Sequence, residues 1–206
     1  TGYSSTIHGI QMTLHKIFFV PLISFRFSKH SKYFFPDIER SDNIPQGWTQ
    51  SINSSYPRIK DDDKIVSPDV RDNLIKDLYE EMAQVFKEEK MCYNFSIRDF
   101  WYNIYHDDQG QEPHTHLGGC KSPVWCGIYY NKRARSTTFI RPDVNNMMHE
   151  FPHQSEFFTN YFAEILSPNI SDGVVLLFPP YLKHYVMPSM DDKMRMTFSF
   201  NLEIHE

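Results

Sequence analysis

The stretch SDGVVLLFPPYLKH, Ser171 to His184, is a short apolar run, Val174 to Phe178, that ends in the Pro179-Pro180 corner and then presents a lone histidine. A run of this length bounded by turn formers reads as a β-strand. His184 opens the next strand, so the corner hands an imidazole across. Working outward, the same texture fills the chain after Cys92. Phe95 to His106, His114 to Leu117, Pro123 to Tyr130, Ser136 to Ile140, Asn160 to Leu166, Gly173 to Phe178, His184 to Met187 and Met194 to Ile204 all read as strands. Eight strands without long intervening helices predict a mainly β fold, an antiparallel sandwich or barrel.

Upstream the texture differs. Residues 13–28 are β-branched and aromatic and predict one or two strands near Pro21, whereas Lys29 to Val66 is polar and reads as irregular surface carrying the acidic run Asp61 to Asp63. One helix is predicted over 68–90. Ser67 is its N-cap, Pro68 its first residue, and Val70, Leu74, Leu78, Met82 and Val85 form an apolar stripe that would cover a sheet. Residues 1–11 lack any pattern and precede Met12, so they read as a disordered or non-native extension ahead of a single domain, 12–206.

Composition narrows the function classes. The chain has 206 residues, enough for one core that buries roughly 70% of the unfolded surface without help from metals or disulfides. Its 21 basic and 26 acidic residues give a net charge of −5, and the basic residues are scattered. That pattern argues against nucleic-acid partners and anionic membranes, which need a basic stripe. The longest apolar stretch, Ile17 to Ile23, is broken by Pro21 and far too short to span a bilayer. Cys92, Cys120 and Cys126 are an odd set with no C-x-x-C spacing, which points to a reducing, cytoplasmic setting. Nothing in the pattern decides between a monomer and a homodimer.

Seven of the ten histidines lie after Cys92. His114 and His116 sit in QEPHTHLGG, and on a strand such i, i+2 neighbours share a face. His184 from a distant strand would complete a facial set of three ligands, with the opposite positions open to substrate and dioxygen. In the strand starting at Met194, the residues Met194, Met196, Phe198 and Phe200 form one face, and Arg195, Thr197, Ser199 and Asn201 the other. A guanidinium with a hydroxyl two residues on suits a carboxylate ligand. Asn103, Tyr105 and Tyr129, on strands flanking the presumed mouth, are further candidates for hydrogen bonding to that ligand. Trp101 and Trp125 read as core; His106, His149, His153 and His205 read as surface.

Taken in order, W-x-N (Trp101, Asn103), H-x-H (His114, His116), the strand Trp125 to Tyr130, the segment Asp172 to His184, and R-x-T-x-S-x-N (Arg195 to Asn201) resemble the iron(II)- and 2-oxoglutarate-dependent oxygenases. Within them the pattern is most similar to a small bacterial and phage group, prolyl-hydroxylase-like, over about Phe100 to Asn201. The resemblance implies a double-stranded β-helix barrel of jelly-roll, cupin-like form with flanking helices. It implies Fe(II) on His114, His116 and His184, and 2-oxoglutarate held by its C5 carboxylate on Arg195 with Thr197 assisting. It further implies O2 as oxidant and ascorbate as reductant. The implied reaction hydroxylates a protein side chain such as proline, or a small molecule, while 2-oxoglutarate becomes succinate and CO2.

One residue departs from the usual pattern of that superfamily. Most members carry H-x-D, and His116 occupies the carboxylate position, so a neutral imidazole replaces an anion. Either His116 ligates, or it turns away and Glu112 or water completes the set. Two other functions share the barrel: a cupin-like three-histidine dioxygenase that does not use 2-oxoglutarate, and a metal-free binding module.

Overall fold

The computed structural model describes residues 3–7, 10–14, 20–41, 44–45, 47–56, 65–91, 94–118, 122–133, 135, 137–142, 165–188 and 193–205. Two strands, β1 (Tyr3–Ile7) and β2 (Ile10–Leu14), form an antiparallel ribbon. Next come β3 (Ile23–Arg26), a 3-10 turn over His30–Lys32, β4 (Asn53–Ser54) and the helix α1 (Pro68–Glu88). The remaining strands are β5 (Asn94–Tyr105), β6 (Gln111–His114), β7 (Trp125–Lys132), β8 (Thr138–Ile140), β9 (Ile165–Leu166), β10 (Val174–Phe178), β11 (His184–Val186) and β12 (Arg195–His205).

These strands build a six-stranded sheet, β3-β10-β7-β12-β5-β4, and a four-stranded sheet, β6-β11-β8-β9. All pairings are antiparallel. From β5 onward the chain alternates between the sheets. β5, β7, β10 and β12 lie in the larger one; β6, the pair β8 and β9, and β11 lie in the smaller one. That winding is the double-stranded β-helix, a jelly roll.

Two apolar layers follow from the strand period of two. On the outer face of the larger sheet, Phe100, Tyr129, Met196, Phe198 and Phe200 pack with the helix residues Leu74, Leu78, Met82 and Phe86. Between the sheets, Cys126, Ile128, Tyr130, Phe139, Leu176 and Phe178 pack together. The helix starts at Ser67, whose side chain accepts from the Val70 amide, with Pro68 in the first turn. Its buried stripe runs at four-residue steps to Phe86, and Val70 is exposed. Gly127 permits close approach of β7 to β12, since a Cβ there would lie 2.1 Å from the Phe200 ring.

The segment expected to be irregular surface contributes to the core as well. Tyr33, Phe35 and Ile52 are buried, and β4 extends the larger sheet. Asp77 on the helix fastens this segment: Lys29 Nζ lies 2.8 Å from it, Tyr33 Oη donates over 2.7 Å, and Lys32 Nζ over 3.3 Å. Burial alone would raise the Asp77 carboxyl, but the bonds from Lys29, Tyr33 and Lys32 outweigh it and lower its pKa from 3.8 to about 2. A depressed carboxyl stabilises the fold above its unfolded pKa, and that stability disappears as pH falls through the folded value. Asp77→Asn should cost about 1–3 kcal/mol at neutral pH. In urea unfolding, its deficit against wild type should shrink between about pH 4 and pH 2; a pH-independent deficit would contradict the ionised clasp.

Candidate active site

Strand register assembles the cavity between the sheets. His184 opens β11 directly opposite His114, the last residue of β6. Opposed residues in an antiparallel pair project to one face, and the two imidazole centroids are 4.2 Å apart. His116 lies just beyond the end of β6, so the strand pleat does not aim it. Its amide donates to Pro180 O over 2.9 Å, which ties the segment to the Pro-Pro corner. Its ring centroid lies 5.5 Å from that of His114 and 5.2 Å from that of His184. One ring nitrogen from each of the three histidines lies within 4.8 Å of the others.

Hydrogen bonds select which nitrogens converge. His114 Nδ1 is 2.8 Å from Glu112 O, and His184 Nδ1 is 2.9 Å from Leu182 O. Carbonyl oxygens only accept, so both Nδ1 atoms carry the proton and both Nε2 atoms keep a lone pair. A second contact agrees: Tyr105 Oη donates to Gln111 Oε1 over 3.1 Å, which leaves the Gln111 amide nitrogen 3.3 Å from His114 Nε2 as its donor. His116 Nδ1 lies 2.8 Å from Asn201 Oδ1. Burial keeps all three rings neutral. It lowers the pKa of His114, lowers that of His116 to about 4, and with the other two imidazoles nearby holds His184 well below 6.5. Three neutral, lone-pair nitrogens held by outer hydrogen bonds suit a divalent metal ion such as iron(II).

Arg195 lines the same cavity from the larger sheet, directly across from Tyr105 and 4% exposed. Its guanidinium carbon lies 4.7 Å from the Tyr105 ring centre. Nη2 donates to Gln109 O and Met187 O, each at 3.3 Å, while Nε is buried with no partner. Among the described residues no carboxylate pairs with it, so a buried cation faces the cavity with donor capacity unused. Thr197, Ser199, Asn103, Tyr130 and Arg135 line the same space. Ser54 Oγ donates to Asn103 Oδ1 over 2.7 Å, and Asn103 Nδ2 donates to Ser199 Oγ over 3.3 Å.

Tyr129 is corrected. Its β12 partner is Phe198, so it faces the outer core, fully buried, with its hydroxyl against His30 Nδ1 at 2.7 Å. The next residue, Tyr130, opposes Thr197 and lines the cavity instead. Trp101, expected in the core, is only 6% exposed yet lines both this cavity and a wider cleft beyond the histidines. Trp48 and Tyr56 share that cleft, and Tyr56 lies 5.2 Å from Trp101, centroid to centroid. Asn201 and Gln111 escaped the sequence reading as site residues; the alternation that exposed Arg195 also puts Asn201 on the cavity face. Cys126 is a buried free thiol, with burial pushing its pKa up. Cys92, Cys120, His149, His153 and the acidic run fall outside the described residues.

Neutral buried imidazoles make the metal-free protein acid-sensitive. The unfolded chain takes up protons near pH 6.5, whereas the folded His116 waits until about pH 4. The unfolded state therefore binds more protons in that window, and stability rises with pH across it. Urea midpoints should fall steadily from about pH 7 to about pH 4.5, and His184→Leu should flatten the decline. An identical slope in the variant would refute burial of His184 as a neutral group.

A family model described as "Putative 2OG-Fe(II) oxygenase" matches residues 99–201, half of the chain. No curated protein matches. Among solved structures, an oxidoreductase of the 2OG-Fe(II) oxygenase family from Burkholderia pseudomallei aligns with a TM-score of 0.49 and 11% identity, covering 100% of this chain and 73% of that one. A Pseudomonas putida prolyl-4-hydroxylase aligns at 0.47 with 8% identity, over 76% and 72% of the two chains. The viral collagen prolyl hydroxylase of Paramecium Bursaria Chlorella virus-1, in its 2OG complex, aligns at 0.42 with 11% identity, over 65% and 74%.

Proposed function

The chain belongs to the 2OG-Fe(II) oxygenase family, and from that premise we propose that it hydroxylates a substrate C–H bond while converting 2-oxoglutarate and O2 to succinate and CO2. The observation that carries this reading is the pairing, in one cavity, of three lone-pair nitrogens with a buried arginine that has no carboxylate partner among the described residues. His114, His116 and His184 would hold iron(II), and Arg195 with Thr197 would hold the distal carboxylate of the dicarboxylate cosubstrate. Bound iron(II) supplies the redox chemistry that couples O2 to decarboxylation and to oxidation of the substrate.

The chain's own residues do the rest by positioning. Arg195 offers a planar fork of donors matched to a carboxylate, and its burial strengthens that interaction because water does not compete. Ile128 and Phe178 are apolar neighbours in the cavity lining and would help to exclude water. The substrate, a protein side chain or a small molecule, would reach the histidines through the wider cleft walled by Trp48, Tyr56 and Trp101. The stoichiometry closes as one C–H bond to C–OH, one 2-oxoglutarate to succinate plus CO2, and one O2 consumed.

With iron(II), ascorbate and 2-oxoglutarate the protein should form succinate, detected by mass spectrometry. His184→Ala should abolish it. Arg195→Ala should raise the KM for 2-oxoglutarate by roughly two to three orders of magnitude, the usual cost of removing one partner of a buried charge pair. Succinate formation that survives both changes would defeat the proposal. Under argon, a weak visible absorption on adding 2-oxoglutarate to iron-loaded protein separates this reading from a three-histidine dioxygenase that ignores the keto acid.

A further inference from the structure

We infer that Asn201 and Asp99 form a side-chain relay that fixes His116 as the third ligand, with Asn201 as the positioning residue. The inference rests on the three-histidine site above, and it answers whether His116 serves where a carboxylate is usual. His116 needs such a device more than its neighbours do. His114 and His184 each bond a backbone carbonyl two residues back, so their rings are set by the local chain. His116 stands beyond the end of β6, and its ring is held by a side chain from the other sheet.

The relay leaves one consistent arrangement of protons. Asn201 Nδ2 lies 2.9 Å from Asp99 Oδ2. An ionised carboxylate only accepts, so the amide nitrogen must face Asp99 and the amide oxygen must face His116. That oxygen accepts from His116 Nδ1 over 2.8 Å, so Nδ1 carries the proton and Nε2 retains its lone pair. One carboxylate thus dictates the tautomer of an imidazole two bonds along the relay. Without Asp99, the Asn201 amide could turn and offer N–H to Nδ1, which would move the proton onto Nε2 and remove the ligand.

Backbone irregularity makes the relay fit. Asn201 is opposite Asp99, and the next pair joins Leu202 to Ile97, so Arg98 is an extra residue in β5. Adjacent residues on a regular strand point to opposite faces, and a bulge re-aims them. Here Arg98 and Asp99 both line the wider cleft, with Arg98 Nη2 2.9 Å from Asp99 Oδ2. Asn201 is 8% exposed, so water offers its amide little competition. The carboxylate charge is matched by Arg98 and kept one residue away from His116. His116 therefore remains a neutral ligand, and the site keeps the positive charge that a dianionic cosubstrate favours.

The test reads the metal-free protein and metal binding separately. In 15N spectra of histidine-labelled, metal-free protein, His116 should hold its proton on Nδ1 in wild type and show a tautomer mixture in Asp99→Asn and in Asn201→Leu. In Co(II) titrations followed by visible absorption, both variants should bind roughly 10- to 100-fold more weakly. The exchanged pair Asn201→Asp with Asp99→Asn again sets an acceptor against His116 and a donor behind it, and should recover both the tautomer and the affinity. Wild-type tautomer and wild-type Co(II) affinity in Asp99→Asn, or no recovery in the exchanged pair, would overturn the inference. Loss of the metal site itself has a different signature: His114→Ala and His184→Ala would then leave Co(II) binding unchanged, while the tautomer of His116 would still report on the relay.

Discussion

Strand β12 runs between β5 and β7, and its register decides what each face of the molecule becomes. Its even-numbered residues, Met196, Phe198 and Phe200, enter the outer core; of its odd-numbered ones, Arg195, Thr197 and Ser199 enter the cavity and Asn201 the wider cleft beside it. A slip of one residue would exchange the two sets, burying a guanidinium among aromatic rings and stripping the cavity of the polar groups that β12 supplies. The outer aromatic packing against α1 enforces the register, since Phe198 stacks on both Phe100 and Tyr129. The hydrophobic layer on one side of the sheet thereby aligns the chemistry on the other side.

Burial is the second organising force, and it acts in opposite senses on the groups that matter. It disfavours charge on the three imidazoles and so leaves them neutral. It also disfavours the guanidinium, which stays protonated and therefore demands an anion. A cavity with neutral donors at one end and an unmatched cation at the other is polar in a directional way. The proposed function draws on that polarity, with a carboxylate at the arginine end and chelating oxygens at the histidine end.

Much of this was legible in the sequence where periodicity of two or of 3.6 held. The strand texture from Phe95 on, the helix with its Ser67 cap and the two faces of β12 all follow from residue spacing, because each element buries one face against a common core. Legibility failed where a single residue's parity or a long-range contact decided the outcome. Tyr129 and Tyr130 are adjacent and chemically alike, and only pairing with Phe198 and Thr197 separates the packed one from the cavity one. His116 follows β6 rather than lying within it, so the H-x-H spacing alone does not explain why its ring meets the others. The polar segment after Lys29 hid Tyr33, Phe35 and Ile52, whose burial depends on partners far along the chain. Asn201 drew notice only as one of four polar residues on a face, because its meaning comes from Asp99 and His116 together.

The alternation of the chain between its two sheets has a temporal side. Along the described chain, His114 and His116 come first, His184 follows some seventy positions later, and the side chain that orients His116 belongs to β12, later still. During synthesis the first two imidazoles leave the ribosome before the strand whose side chain meets one of them. The full set of contacts around His116 exists only once β12 is paired between β5 and β7.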